Sequence, residues 1–149
     1  MKTLVAYYSR TNITKKLAQD IAGKTNADIE EIIPKVNYQG KLGFARGGKD
    51  AISEKIIDLE DTKRDVEDYD IVYVGGPLWA GKTSTPVISY LKQNEGKFKS
   101  VKFFMTAGST DFENAFAQME KFSIKPLKTM GLTTKEVKKD DYSLDSFIE

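Results

Sequence analysis

The residues best placed to do chemistry near the start of the chain are Ser9, Arg10, Thr11, Asn12, Ile13 and Thr14. They set three aliphatic hydroxyls, an amide and a guanidinium, with no carboxylate, where an apolar run ends and a helical pattern begins. A strand that passes through such a turn into a helix suits an anion, because the first helical N–H groups have no intrahelical acceptor. A single Ser, Thr or Asn would suffice to cap the helix. Four of them within six residues exceed that need, so the loop reads as an anion site.

What else the chain could do is bounded by what it lacks. It has neither cysteine nor histidine, which removes thiolate nucleophiles, disulfides, Cys/His zinc sites and His-based triads. No catalytic side chain and no metal-ligand set stands out, so chemistry falls to carboxylates, Lys, Tyr, Ser/Thr, backbone dipoles or a bound cofactor. A net charge of +1 over 149 residues gives no reason to expect a nucleic-acid partner. The apolar run Leu4 to Tyr8 is too short for a signal peptide or a membrane span, so a cytoplasmic location without a membrane partner is expected. The length fits one domain, residues 1–149, with a core of its own.

The elements that must position the loop follow from hydrophobic periodicity. Residues 4–8, 27–33, 70–76 and 101–108 read as strands, the last two apolar almost throughout and ending in glycine. Ile13, Leu17, Ala18 and Ile21 repeat with helical spacing up to Gly23, which is expected to close that helix; Pro34 ends the second strand. Residues 86–91 and 112–122 carry the 3.6-residue repeat. Such alternation implies a doubly wound, mostly parallel sheet with helices on both faces, whose ligands bind beyond the carboxyl ends of the strands. Three loops, SRTNIT, GPLWAGKTST and TAGSTDF, gather there. Rich in Gly, Ser and Thr, poor in carboxylates and holding the only tryptophan, they suit a flat ligand that carries a phosphate.

Other segments have plainer readings. Tyr7, Tyr73 and Phe103 lie inside strands as packing residues. KEVKKDD at 135–141 is a solvated surface. YQGKLGFARGGK at 38–49 reads as a mobile loop leading into a surface helix, with binding of an anionic nucleotide or a partner as the alternative.

Two rival chemistries share this layout. GPLWAGKT at 76–83 matches the P-loop pattern G-x-x-x-x-G-K-[ST] and follows a strand. Against it, the strand at 101–108 ends in Thr106, Ala107 and Gly108 rather than in an Asp suited to Mg²⁺, and Pro86 limits where the next helix can begin. A phosphoacceptor receiver needs acids where Tyr7, Tyr8, Ser9, Gly75 and Gly76 stand.

LVAYYSRTNITKKLAQDIA resembles the opening of flavodoxin-like proteins, whose first strand leads into a loop of the form S/T-x-T-G-x-T around the phosphate of FMN. Ser9 to Thr14 occupy that pattern, with Asn12 in place of its glycine. GGPLWAGKTSTPVISYL is similar to the family's P-I-W-W-G-x-x-P stretch: Pro77, Leu78, Trp79 and Gly81 match, and Ala80 replaces the second tryptophan. Thr106, Ala107, Gly108 and Ser109 are similar to a turn near the edge of the isoalloxazine ring, and residues 42–55 also look like a segment found in some members. The resemblance implies a flavodoxin-like doubly wound five-stranded parallel sheet with a shortened last helix, residues 143–149 being a stub. It implies noncovalent FMN held by Ser9 to Thr14, by Pro77 to Lys82, with Trp79 stacking on the ring, and by Thr106 to Ser109. The implied function is an electron carrier that meets a reductase and an acceptor protein as a monomer or weak homodimer. An FMN-dependent NAD(P)H:quinone-type oxidoreductase is the alternative.

Overall fold

The computed structural model describes residues 1–149. Five strands form the parallel sheet: β1 (Thr3–Tyr7), β2 (Asp28–Glu31), β3 (Ile71–Trp79), β5 (Val101–Ala107) and β6 (Thr129–Thr133). Their order is β2-β1-β3-β5-β6, and the two-residue β4 (Lys82–Thr83) pairs antiparallel with the end of β3. The chain therefore reverses its winding direction beside β1, the topological switch at which open α/β sheets bind ligands.

Alternation along the strands divides the core. Leu4, Ala6, Val72, Val74, Val101, Phe103 and Met105 face one side, where they meet Val87, Ile88 and Leu91 of α3 (Thr85–Gln93) and Ala115 and Met119 of α4 (Glu113–Lys121). Val5, Tyr7, Ile71, Tyr73 and Phe104 face the other, against Leu17, Ala18 and Ile21 of α1 (Ile13–Thr25), Val137 of α5 (Thr134–Lys138) and Phe147 of α6 (Asp145–Ile148). Period-2 strands and period-3.6 helices thus bury complementary faces. The last helix is short, as expected. Its C-terminal end is held by Lys102, a buried ammonium that donates to the carbonyls of Phe147 (2.7 Å) and Glu149 (3.3 Å); burial lowers the pKa of this lysine.

Several local expectations change. α1 runs past Gly23 and closes at Asn26, whose left-handed φ of 54° turns the next N–H, that of Ala27, back to the Ala22 carbonyl (3.1 Å), a role asparagine can fill in place of glycine. Gly75 and Gly76 lie inside β3 rather than at its end. A Cβ on Gly75 would stand 2.3 Å from the Phe104 ring, so the glycine admits a bulky neighbour. In 135–141, Val137 is buried and a capping box between Thr133 and Glu136 opens α5, so that run is only partly a solvated surface. No helix is long and apolar enough to cross a membrane.

Candidate functional site

At the carboxyl edge of the sheet, the Tyr8 N–H donates to the Gly75 carbonyl (3.0 Å) and keeps the chain alongside β3 for one residue beyond β1. The chain then turns through Ser9–Asn12. Asn12, at φ 70°, is the residue before α1, and its side chain caps nothing. The first-turn N–H groups of α1 are left without a side-chain cap, and the Ser9 hydroxyl is buried with no hydrogen-bond partner. Thr11 is exposed. Thr14 turns inward, 1% exposed, and its hydroxyl shares a 2.8 Å hydrogen bond with that of Thr106 on β5. The side chain of Thr14 therefore ties the loop to the sheet.

The end of β3 is a hairpin. Trp79 pairs with Lys82 across Ala80 (φ 49°) and Gly81 (φ 79°), the two left-handed positions of a tight turn whose twist matches the strands. Trp79 packs edge-on against Tyr8 (centroids 5.5 Å apart) and Tyr38 (4.9 Å). Lys82 pairs with Glu54 at 3.2 Å. The Thr83 hydroxyl donates to the Ala115 carbonyl (2.8 Å), and the Thr83 N–H to Gln118 Oε1 (3.0 Å).

A third wall comes from α2 (Gly40–Ile52) and the residues just before it. Arg10 donates from Nε to the Tyr38 carbonyl (2.8 Å) and from Nη2 to the Gly40 carbonyl (2.9 Å), while Gln39 Nε2 donates back to the Arg10 carbonyl (3.3 Å). Tyr38 is buried and donates to the buried Asp50 carboxylate at 2.7 Å. Burial, then the Asp50 contact, raises the Tyr38 pKa. Burial also pushes Tyr8 up to about 12, with Arg10 pulling the other way, so both phenols stay neutral. A cavity of about 330 Å³ opens beside Ser9, lined by Tyr38, Asn37 and residues 31–36. Its one cation, Lys35, is matched by Glu31, which leaves the N-terminus of α1 as the stronger attraction for an anion.

The sequence profile described as flavodoxin matches residues 2–142. The chain belongs to the flavodoxin family. Among solved structures it is similar to a flavoprotein from Lactobacillus acidophilus crystallised in complex with FMN, at 23% identity and a TM-score of 0.74, covering 95% of this chain and 99% of that one. A proposed flavoprotein from Bacteroides uniformis is 25% identical with a TM-score of 0.78, covering 94% and 97%. A third, from Bacteroides eggerthii, is 20% identical with a TM-score of 0.75. No curated protein matches the sequence.

On this flavodoxin fold the three expected loops converge. Tyr8 touches Trp79, Thr14 meets Thr106, and Pro77 stands in register with Thr106. Thr106 and Ala107 belong to β5 and are buried, so only Gly108 and Ser109 of that turn project beyond the sheet. The P-loop pattern is not a P-loop: its Lys82 and Thr83 form β4, and the next helix opens at Thr85. The segment at 38–49 is helical from Gly40 onward, so the expected surface helix begins earlier than a mobile loop would allow and is docked along one face. Its Gly43 and Gly47 signal this in retrospect, since a Cβ would lie 2.1 Å from the Tyr38 carbonyl carbon or 3.1 Å from the Trp79 ring.

Proposed function

We propose that the chain binds FMN noncovalently at the carboxyl edge of its sheet and carries single electrons through it. The observation that carries this reading is the open start of α1: no side chain caps it, left-handed Asn12 precedes it, and the buried Ser9 hydroxyl beside it lacks a partner. A phosphate fits that donor set without a dedicated lysine. The Lactobacillus flavoprotein, alike in fold over almost its full length, favours FMN among phosphate-bearing ligands. FMN when bound supplies redox chemistry that no side chain here provides.

The chain's own residues divide the remaining work. Ser9, Thr11 and the N–H groups of residues 12–14 hold the phosphate. Thr14, through Thr106, fixes the start of α1 relative to β5. Leu78 to Gly81, including the partly buried Trp79, and Gly108 with Ser109 border the ring and keep water from it. Arg10 acts on the phosphate only from the rim, because two of its donors are engaged by carbonyls. The carrier is preferred to the NAD(P)H:quinone-type enzyme because the elements that border the ring within residues 1–149 are the β3–β4 hairpin and the turn after β5, with no inserted segment beside them to form a second wall for a nicotinamide. As a carrier it would meet a reductase and an acceptor protein in the cytoplasm, as a monomer or weak homodimer.

Titration of the purified protein with FMN, riboflavin and Mg²⁺-ATP tests the site, and reduction of the loaded protein tests the role. FMN binds with quenched fluorescence and riboflavin binds more weakly. Dithionite then reduces the flavin in two resolved one-electron stages, with a transient long-wavelength band, and NADPH acts slowly. Tight Mg²⁺-ATP binding without FMN binding would overturn the cofactor. Rapid NADPH reduction without the band would make the protein a reductase.

A further inference from the structure

We infer that the outer face of α2 is a docking surface for an acidic redox protein, an inference that rests on the electron-carrier reading above. The buried face of this 13-residue helix consists of Gly43, Gly47, Asp50 and Ala51. Its outer face is unusual for a surface helix: Leu42 is 88% exposed, Phe44 69% and Ile52 63%. Large apolar side chains left this exposed on one short helix, set among cations rather than joined in a single patch, are candidate anchors for a protein partner.

Charge decides what kind of partner fits. The outward charges are Lys41, Arg46 and Lys49, and none of the three makes an ion pair. Acids set three or four residues from such cations would stabilise the helix. Here the only acid is Asp50, which is turned inward to accept the Tyr38 hydroxyl. The charged groups of this face are therefore all basic, with apolar side chains set among them, and its complement is an acidic surface carrying apolar contacts. A second copy of the chain does not fit, because apposed α2 faces would bring the same cations together. A bilayer fits poorly too. Arg46 and Lys49 stand four and seven residues after Leu42, and Lys41 three before Phe44, so the cations interrupt any continuous apolar stripe that could sink into lipid.

Position joins this face to redox chemistry. The Arg10 guanidinium lies 5.4 Å from the centroid of the Phe44 ring while its nitrogens hold the Tyr38 and Gly40 carbonyls. One turn further along, on the buried side of the helix, Gly47 lies against Trp79. A protein seated on α2 thus reaches the anion loop through Phe44 and Arg10 and is separated from the hairpin, where electrons would enter or leave, by the helix itself.

The test uses an acidic plant-type ferredoxin and basic horse-heart cytochrome c as protein probes. Vesicles of three parts phosphatidylcholine to one part phosphatidylglycerol serve as the membrane probe. Calorimetry should show that wild-type protein binds ferredoxin, with affinity falling about tenfold from low to physiological salt, and binds cytochrome c more weakly. The combined Lys41→Glu, Arg46→Glu, Lys49→Glu variant should lose at least about tenfold for ferredoxin and gain affinity for cytochrome c. Leu42→Ser with Phe44→Ser should lose several-fold while keeping the salt dependence. All variants should titrate with FMN as wild type does, which separates a lost interface from a lost fold. Equal ferredoxin affinity in wild type and the charge-reversed variant would overturn the inference. So would co-sedimentation of wild type with the vesicles in preference to ferredoxin, or a dimer that the Leu42/Phe44 variant abolishes. Failure of wild type to bind FMN would instead overturn the cofactor reading, and the ferredoxin titration, which needs no flavin, would still decide the docking surface.

Discussion

The loop that follows β1 and the hairpin that ends β3 share one edge of the sheet, but their polar and aromatic groups are used in opposite ways. In the loop, Ser9 has no partner, Thr11 points to solvent and α1 is uncapped. In the hairpin, Trp79 has two aromatic neighbours, Lys82 has Glu54, and Thr83 has both the Ala115 carbonyl and Gln118. An unmet buried group costs about 1–3 kcal/mol. Ser84, Thr85 and Tyr90 also carry that cost inside the fold, but of these four only Ser9 stands beside an uncapped helix start flanked by exposed residues, Thr11 and Asn12, where a ligand would meet both. A saturated set fixes geometry. Substitutions in the loop should therefore act on ligand affinity, and substitutions around the hairpin on stability.

The largest effect is expected on the closed side. Gly43→Ala would place a methyl 2.1 Å from the Tyr38 carbonyl carbon, and Tyr38 is one of the rings against Trp79. Overpacking against backbone should cost about 3 kcal/mol, more than the roughly 1 kcal/mol that alanine returns in helix propensity. Gly48→Ala in the same helix meets only ordinary contact, with Ala80 at 4.0 Å, and should stabilise slightly. Urea denaturation of the two variants checks this; equal stabilities would mean that α2 is not held against Tyr38.

Next come two threonines that the sequence makes look alike. Thr11→Ala should weaken FMN binding by about 1.5–3 kcal/mol, the value of a hydrogen bond to a charged group, leaving riboflavin binding and thermal stability nearly unchanged. Thr14→Ala should leave the Thr106 hydroxyl buried and unpaired, a stability cost of about 1–3 kcal/mol, and weaken both flavins alike. Calorimetry with the two ligands, alongside melting curves, separates these outcomes. If Thr14→Ala discriminated between FMN and riboflavin as strongly as Thr11→Ala, the division between open and tied hydroxyls would fail.

The difference between the two regions also explains what the sequence reveals. The loop was legible because its signal is local: an apolar strand, a cluster of hydroxyls and a helical repeat lie within twenty residues. The same holds for the central strands, whose continuous apolar runs have no other good use. The hairpin was not legible as such, because GPLWAGKT fits a phosphate-binding pattern equally well, and only the left-handed pair Ala80–Gly81 makes it turn back. β6 has no apolar run to mark it. Its TMGLT sits at the sheet edge with Leu132 its one buried residue, and its pairing with β5 is visible only in three dimensions. The Thr14–Thr106 bond and the Arg10 clamp span 92 and 28 residues, a separation that no local pattern encodes. Wherever a residue's role depends on a distant partner, residue type set the options and topology chose among them.

The smallest expected effect lies in the hairpin turn itself, and it tests whether that turn is closed for structural reasons alone. Ala80 holds φ at 49°, a left-handed conformation that costs an L-residue roughly 1–2 kcal/mol. Ala80→Gly removes that strain but lets the unfolded chain gain freedom worth about 0.4–1 kcal/mol, so a net stabilisation of about 0.5 kcal/mol is expected. Gly81→Ala, at φ 79° with open space around it, adds the strain with no contact to offset it and should destabilise. The pair also bears on redox behaviour. Rotating the peptide between residues 80 and 81 converts this turn to the form that calls for glycine at its first central position, where Ala80 stands. Ala80→Gly should therefore ease that rotation and widen the separation between the two reduction stages of the loaded protein, measured by dithionite titration. Increased stability with no change in the reduction profile would assign the turn to the scaffold. A loss of stability above about 1 kcal/mol would show that the Ala80 methyl makes contacts worth more than its strain.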